Sequence, residues 1–225
     1  MISVVIPAYN EEKALPATLA QLLSQHGRYE VIVADGGSAD RTREIALSHP
    51  QVKVVEAPKG RASQMNTGAH LACGEWLLFL HADSCLPEGA LALLEALETE
   101  PDCRAGAFRH RFTGDDWRLR LVSWLHNRRC SITGVMYGDQ AMFVRRHLFH
   151  QLGGFPATPI LEDVMFSEKL LAVTRPVLLE EVVLADSRKF VQMGILRSLA
   201  RVLTILVCHS LRLPIRGRAF FQDVR

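Results

Sequence analysis

The chain has 225 residues, which suits one α/β domain with its own core. A composition of 48% hydrophobic and 22% charged residues excludes a disordered polypeptide. The net charge of +2, from 26 basic and 24 acidic residues, gives no electrostatic basis for general nucleic-acid binding.

Ile2-Ser3-Val4-Val5-Ile6, closed by Pro7, predicts a first strand. Because Ile2 already belongs to it, no signal peptide is expected ahead of it. Asn10 can cap a helix in which Leu15, Leu19, Leu22 and Leu23 share a face and which ends near His26-Gly27. Val31 to Ala34 is a second strand, running into the Gly-rich turn Asp35-Gly36-Gly37-Ser38 and a helix near Asp40 to Ser48. Val52 to Val55 is a third strand. A basic loop, Lys59-Gly60-Arg61, leads from it to a helix over Ala62 to Ala72, with Met65, Ala69 and Ala72 inward. Leu77 to Leu80 lack alternation, so both faces should be covered, as in a central strand of a largely parallel sheet. This order demands right-handed crossovers.

The second half begins with a helix from Pro87 to about Glu98. Ala105 to Phe112 predicts a strand with Phe108, His110 and Phe112 on one face. Trp117 to Cys130 predicts a helix with apolar Leu121, Trp124 and Leu125. A Gly-rich loop, Ser131 to Gly138, leads through Asp139-Gln140 into a strand at Ala141 to Val144. Gly153 to Pro156 form a turn, Glu162-Asp163 open a helix, and Val182 to Leu184 form a last short strand. The tail from Ile195 to Leu213 is amphipathic and basic, and its apolar runs fall far short of the ~20 residues that span a bilayer. It suits either packing on the domain or lying on an anionic membrane surface. These readings divide the chain into a domain over 1–192 and a helical tail over 193–225.

Five cysteines, Cys73, Cys85, Cys103, Cys130 and Cys208, are odd in number and form no CxxC pair. That favours reduced thiols and a cytoplasmic location over a disulfide frame or zinc site. After strand one the chain reads Pro7-Ala8-Tyr9-Asn10, neither the GxGxxG of a dinucleotide fold nor a P-loop. Ligands of open α/β sheets bind beyond the carboxyl ends of the strands. There the central strand delivers His81, Asp83 and Ser84, able to ligate a metal or bind phosphate, although an Asp-containing turn is itself common.

In order and spacing, Val5-Ile6-Pro7-Ala8-Tyr9-Asn10-Glu11-Glu12, Asp35-Gly36-Gly37-Ser38-Ala39-Asp40-Arg41-Thr42, Phe79-Leu80-His81-Ala82-Asp83 and Glu162-Asp163 resemble glycosyltransferase family 2. In particular they resemble a small bacterial subgroup with His-Ala-Asp at the metal turn, some of whose members are labelled arsenosugar-biosynthesis transferases. The resemblance implies a GT-A fold with a mostly parallel sheet flanked by helices. It also implies a UDP- or GDP-sugar donor, a divalent cation (Mn²⁺ or Mg²⁺) and inversion at the anomeric carbon.

Carried over residue by residue, the resemblance makes Asp163 the base, with Glu162 in support. It puts Asp83 on the metal, with His81 standing where the family's first metal-site Asp falls. Pro7, Ala8 and Glu11 become the nucleotide wall, Asp35 the contact to the base, and Ala82 and Asp83 part of the donor site. Arg61 could pair with a donor phosphate, Arg188 could reach the diphosphate, and Asp139 and Gln140 could line the acceptor side. The residues alone leave simpler roles open: a turn for Asp35, a structural imidazole for His81, and dipole-favoured charges at a helix start for Glu162 and Asp163. A non-catalytic nucleotide-sugar or carbohydrate-binding protein on the same fold is the alternative reading. A nucleotidyltransferase, which should carry a Gly-rich basic loop after strand one, ranks lower.

Overall fold

A computed structural model describes residues 1–158 and 160–210. The first half alternates strand and helix: β1 (Ile2–Ala8), α1 (Leu15–Leu23), β2 (Tyr29–Asp35), α2 (Thr42–Leu47), β3 (Val52–Glu56), α3 (Arg61–Leu71) and β4 (Trp76–Phe79). The second half holds β5 (Ser84–Cys85), α4 (Ala90–Ala96), β6 (Ala105–Phe112), α5 (Trp117–Thr133), β7 (Phe143–Arg145) and α6 (Arg146–Gln151). It closes with α7 (Glu162–Leu171), β8 (Val177–Ala185), α8 (Arg188–Gln192) and α9 (Ile195–Ser210).

All eight strands join one sheet in the order β3-β2-β1-β4-β7-β6-β8-β5. β1 to β4 are mutually parallel, as the alternation of strand and helix demands. Beyond β4 the sheet is mixed: β7 runs antiparallel to both β4 and β6, whereas β6 and β8 are parallel. Trp76, Leu78 and Leu80 enter the core on one face, while Leu77 and Phe79 enter the core on the other. The run without alternation is therefore a strand covered on both sides.

Several boundaries differ from the sequence reading. α4 starts at Ala90 rather than Pro87, because Gly89 takes a left-handed conformation (φ 76) just before it. β8 is far longer than Val182 to Leu184. Its extra residues include exposed Glu180, which pairs with Arg109 across the strands at 2.6 Å and hides the strand from a search for apolar runs. All five cysteines are free thiols. The tail helix packs on α8, with Ser198 Oγ donating to Phe190 O at 3.2 Å. The expected tail residues beyond Ser210 lie outside the described residues.

The largest departure is α5. Leu121, Trp124 and Leu125 face solvent, with Trp117 64% and Trp124 59% exposed. The packed face is polar instead. Ser123 Oγ accepts from Phe112 N–H at 3.1 Å, and Asn127 Oδ1 accepts from His110 N–H at 2.9 Å. β7 pairs with β6 only at Ala105 and Gly106, so the following backbone groups of β6 take partners from α5.

Candidate active site

At the carboxyl ends of β1, β2 and β4 lies a cavity of about 180 Å³. Pro7, Tyr9 and Glu11 line it from the turn after β1. Lys59, Gly60, Arg61 and Gln64 line it from the start of α3, and His81, Ala82 and Asp83 from the turn after β4. The walls are stitched together by side chains. The Gln64 amide donates to Ala8 O at 2.6 Å and Ala34 O at 3.0 Å, tying α3 to two strand ends. Asn10, with φ 55, accepts from Ala39 N–H at 2.9 Å, and Glu11 N–H donates to Thr42 Oγ1 at 2.7 Å. Asp35 is buried behind this wall, where its carboxylate accepts from the Ser38 hydroxyl at 2.5 Å. The Lys59 ammonium lies 4.0 Å from the centre of the Tyr9 ring at the cavity wall.

The turn after β4 is held from three sides. Ser84 N–H donates to His81 O, Thr18 Oγ1 to Ala82 O, and Asp186 N–H to Asp83 O. The last of these brings the end of β8 beside Asp83. Arg188 follows there, paired with Asp186, and the charges of Asp83 and Glu11 help raise its pKa.

Glu162 and Asp163 begin α7 immediately after Leu161, whose φ of 61 is unusual for a side chain of that size. Arg61 Nε stands 3.2 Å from Glu162 Oε1, which joins α3 to α7. Asp163 Oδ2 accepts from Gly138 N–H at 2.7 Å, and Oδ1 from Val164 N–H at 2.8 Å. Burial, then the charge of Glu162, pushes Asp163 up to about 6 against the pull of Arg61 and these two N–H groups. Burial alone would lower the Arg61 pKa, but the carboxylates of Glu162, Asp163 and Asp83 outweigh it and hold the guanidinium charged.

Burial, followed by the charge of Arg61, holds His81 down at about 4. Its Nε2 is buried and has no hydrogen-bond partner among the described residues. A neutral imidazole with an available lone pair, beside the carboxylate of Asp83 in one cavity, is a donor pair that fits a divalent ion whose remaining ligands come from substrate phosphates.

On the far side of Gly138 the two expected acceptor residues diverge. Gln140 is fully buried; its Oε1 accepts from Tyr137 N–H at 3.0 Å and its amide reaches Phe108 O at 3.5 Å, so it braces the turn. Asp139 instead faces His110 and His126, which the sequence did not single out as site residues. Burial opposes its charge, but those two histidines pull its pKa down to about 2. Tyr9, Lys59 and Gln64 also line the cavity without being singled out as site residues by the sequence; Tyr9 sits in the motif after β1, and Gly60 marks the loop that carries Lys59.

The strand order and the cavity at the strand ends belong to the GT-A type of fold. The family model described as "Glycosyl transferase family 2" matches residues 3–152, and the chain belongs to that family. A relative in Mycobacterium bovis, named "PGL/p-HBAD biosynthesis glycosyltransferase", is 35% identical over 168 residues, covering 69% of this chain and 63% of its own. The chain thus spans less than two thirds of that relative's length. Among solved structures, S. aureus TarS 1-349 in complex with UDP-GlcNAc superposes with a TM-score of 0.68 at 22% identity, covering 83% of this chain and 58% of that one. The mannosyltransferase PcManGT from Pyrobaculum calidifontis, in complex with GDP-Man and Mn²⁺, gives 0.65 at 22% identity, with 90% and 64% covered.

Proposed function

We propose that the chain is an inverting glycosyltransferase that moves a sugar from a nucleoside-diphosphate donor to an acceptor hydroxyl. The observation that carries this reading is Asp163: a buried carboxylate with a raised pKa, held by two backbone N–H groups beside the Arg61–Glu162 pair. A base poised near neutral pH is what an acceptor hydroxyl needs as it attacks. In the reaction the acceptor O–H proton passes to Asp163 as its oxygen bonds to the anomeric carbon. The bond from that carbon to the phosphate oxygen breaks, and its electron pair leaves with the nucleoside diphosphate.

Pro7, Ala8, Tyr9 and Glu11 form the nucleotide wall, with Asp35 behind it as the contact to the base. Arg188 faces the diphosphate, and Arg61 keeps Glu162 and Asp163 in place. A divalent ion held by Asp83 and His81 would act as a Lewis acid on the leaving diphosphate. The solved relatives bind UDP-GlcNAc and GDP-Man, which supports a UDP- or GDP-sugar donor. We further propose that α9, which carries Arg197 and Arg201, lies on an anionic membrane surface. Among the described residues no helix is long and apolar enough to cross a membrane. Flotation on anionic vesicles should be lost when the chain is cut after Gln192; equal flotation of both forms removes the membrane proposal.

The donor site is tested by melting temperatures with UDP, GDP, CDP or dTDP, each with Mn²⁺, Mg²⁺ or chelator. Ligands that bind the native state raise the melting point by mass action. A rise with UDP or GDP that chelator removes supports the reading. No rise with any nucleotide contradicts it.

A further inference from the structure

Where β6, α5 and the turn before β7 meet, three side chains form a polar cluster that the transfer reaction leaves unused. His110 of β6 has 0% of its side chain exposed, His126 of α5 13%, and Asp139 29%. His110 Nε2 stands 3.5 Å from Asp139 Oδ2, and His126 Nε2 stands 3.4 Å from Asp139 Oδ1. Both separations exceed the ~3.2 Å limit of ordinary N–H···O bonds. Accordingly both nitrogens of His110, Nε2 of His126 and Oδ1 of Asp139 are buried without hydrogen-bond partners among the described residues. Buried polar groups left unsatisfied in this way destabilise the fold unless something binds them.

The surroundings hold the cluster in this arrangement. Asn127 clamps the His110 backbone through both its N–H and its carbonyl, each at 2.9 Å. The Phe112 ring meets His110 edge-on at 4.5 Å, and Tyr137 meets His126 at 4.9 Å. Asp139 sits in the short turn Gly138–Gln140 that buried Gln140 braces.

We infer that His110, His126 and Asp139 form a site for a divalent transition-metal ion, distinct from the one that Asp83 and His81 would hold, with Asp139 next along the chain to Gly138, which binds Asp163. One imidazole or carboxylate atom from each lies within 4.8 Å of the other two. A tetrahedral ion with bonds of ~2.0–2.1 Å keeps its ligand atoms about 3.4 Å apart, so binding through a single Asp139 oxygen would draw the three atoms together from this 4.8 Å spread. Two imidazoles and one carboxylate suit Zn²⁺, Mn²⁺, Fe²⁺ or Co²⁺ and not the all-oxygen shells of Mg²⁺ or Ca²⁺. Asp139 and His126 keep part of their surface exposed, which leaves an open position for water or an acceptor oxygen. Arg129 lies near Asp139 but is stacked on the Tyr137 ring at 3.6 Å and bonded to Val135 O; its charge weakens the site without filling it.

The test needs neither donor nor acceptor, so it stands whether or not the transfer reading does. The full chain, stripped with chelator, is titrated with Co²⁺ and with Zn²⁺, and followed by visible Co²⁺ absorption and by calorimetry. One equivalent should bind, giving the ligand-field bands of an imidazole-coordinated ion. Even an outer-shell loss costs roughly 10–100-fold in metal affinity, so His126→Ala and Asp139→Asn should each weaken binding at least that much. Both positions are partly exposed, and circular dichroism checks that each variant is folded. Asp83→Asn should leave this equivalent in place, because the Asp83–His81 pair lacks, in a titration without donor, the substrate phosphates that would complete its own ion site. Undiminished binding in folded His126→Ala and Asp139→Asn, loss of binding in Asp83→Asn alone, or no binding by the folded parent chain overturns the site.

Discussion

Gly138 donates its backbone N–H to Asp163 at 2.7 Å, and a β-carbon on Gly138 would sit 2.7 Å from His81 Nε2. One glycine therefore lets the loop before β7 pass between the candidate metal histidine and the candidate base. Gly138→Ala must displace either the His81 ring, whose Nε2 is buried, or the loop. The expected result is about 1–3 kcal/mol of lost stability from overpacking and a roughly 10–100-fold lower transfer rate from misplaced groups. Chemical denaturation and initial rates measure both; an alanine variant with parental rates would show that this close approach is unimportant to the reaction.

The raised pKa of Asp163 sets a pH dependence. The base works only when ionised, so the rate should fall as pH drops through about 6 and level off above it. Stability runs the other way. The folded pKa lies above the ordinary 3.8, so protonated Asp163 favours the fold, and that contribution is lost as pH rises from 3.8 through about 6. A pH profile of kcat/KM with an acid limb near 4 instead would mean that burial has not shifted this carboxyl.

Arg61→Met separates the roles of the ion pair. It leaves Glu162, only 3% exposed, as an uncompensated buried charge. Because Arg61 itself is one-third exposed, the cost should fall at the low end of the range for such losses, about 3 kcal/mol. Asp163 also loses an attractive charge, so the acid limb of the rate profile should move above 6. An acid limb that stays in place in this variant would remove Arg61 from the electrostatics of the base.

Much of this arrangement is legible in the sequence, because the parallel half of the sheet follows from local pattern. The apolar run ending at His81-Ala82-Asp83 is the central strand, and Pro7, Arg61 and Asp83 meet at strand and helix ends, as the alternation requires. The other half resists reading because α5 packs through Ser123 and Asn127 rather than through its leucines and tryptophans. Apolar periodicity points to the wrong face of that helix, so nothing local says that His126 meets His110 and Asp139. The left-handed Leu161 and Ala141, flanking Glu162 and Gln140, are likewise set by tertiary contacts and carry no local signal such as a glycine.

The most direct measurement is nucleoside-diphosphate release from a panel of UDP- and GDP-sugars, with an acceptor-containing extract, by the parent chain and by Asp163→Asn. The account predicts release from one donor, a fall of roughly 10²–10⁴-fold in the variant, and a nucleotide affinity that the substitution leaves alone. Equal rates in the two proteins, or no release from any donor by folded protein that binds the nucleotide, would contradict it.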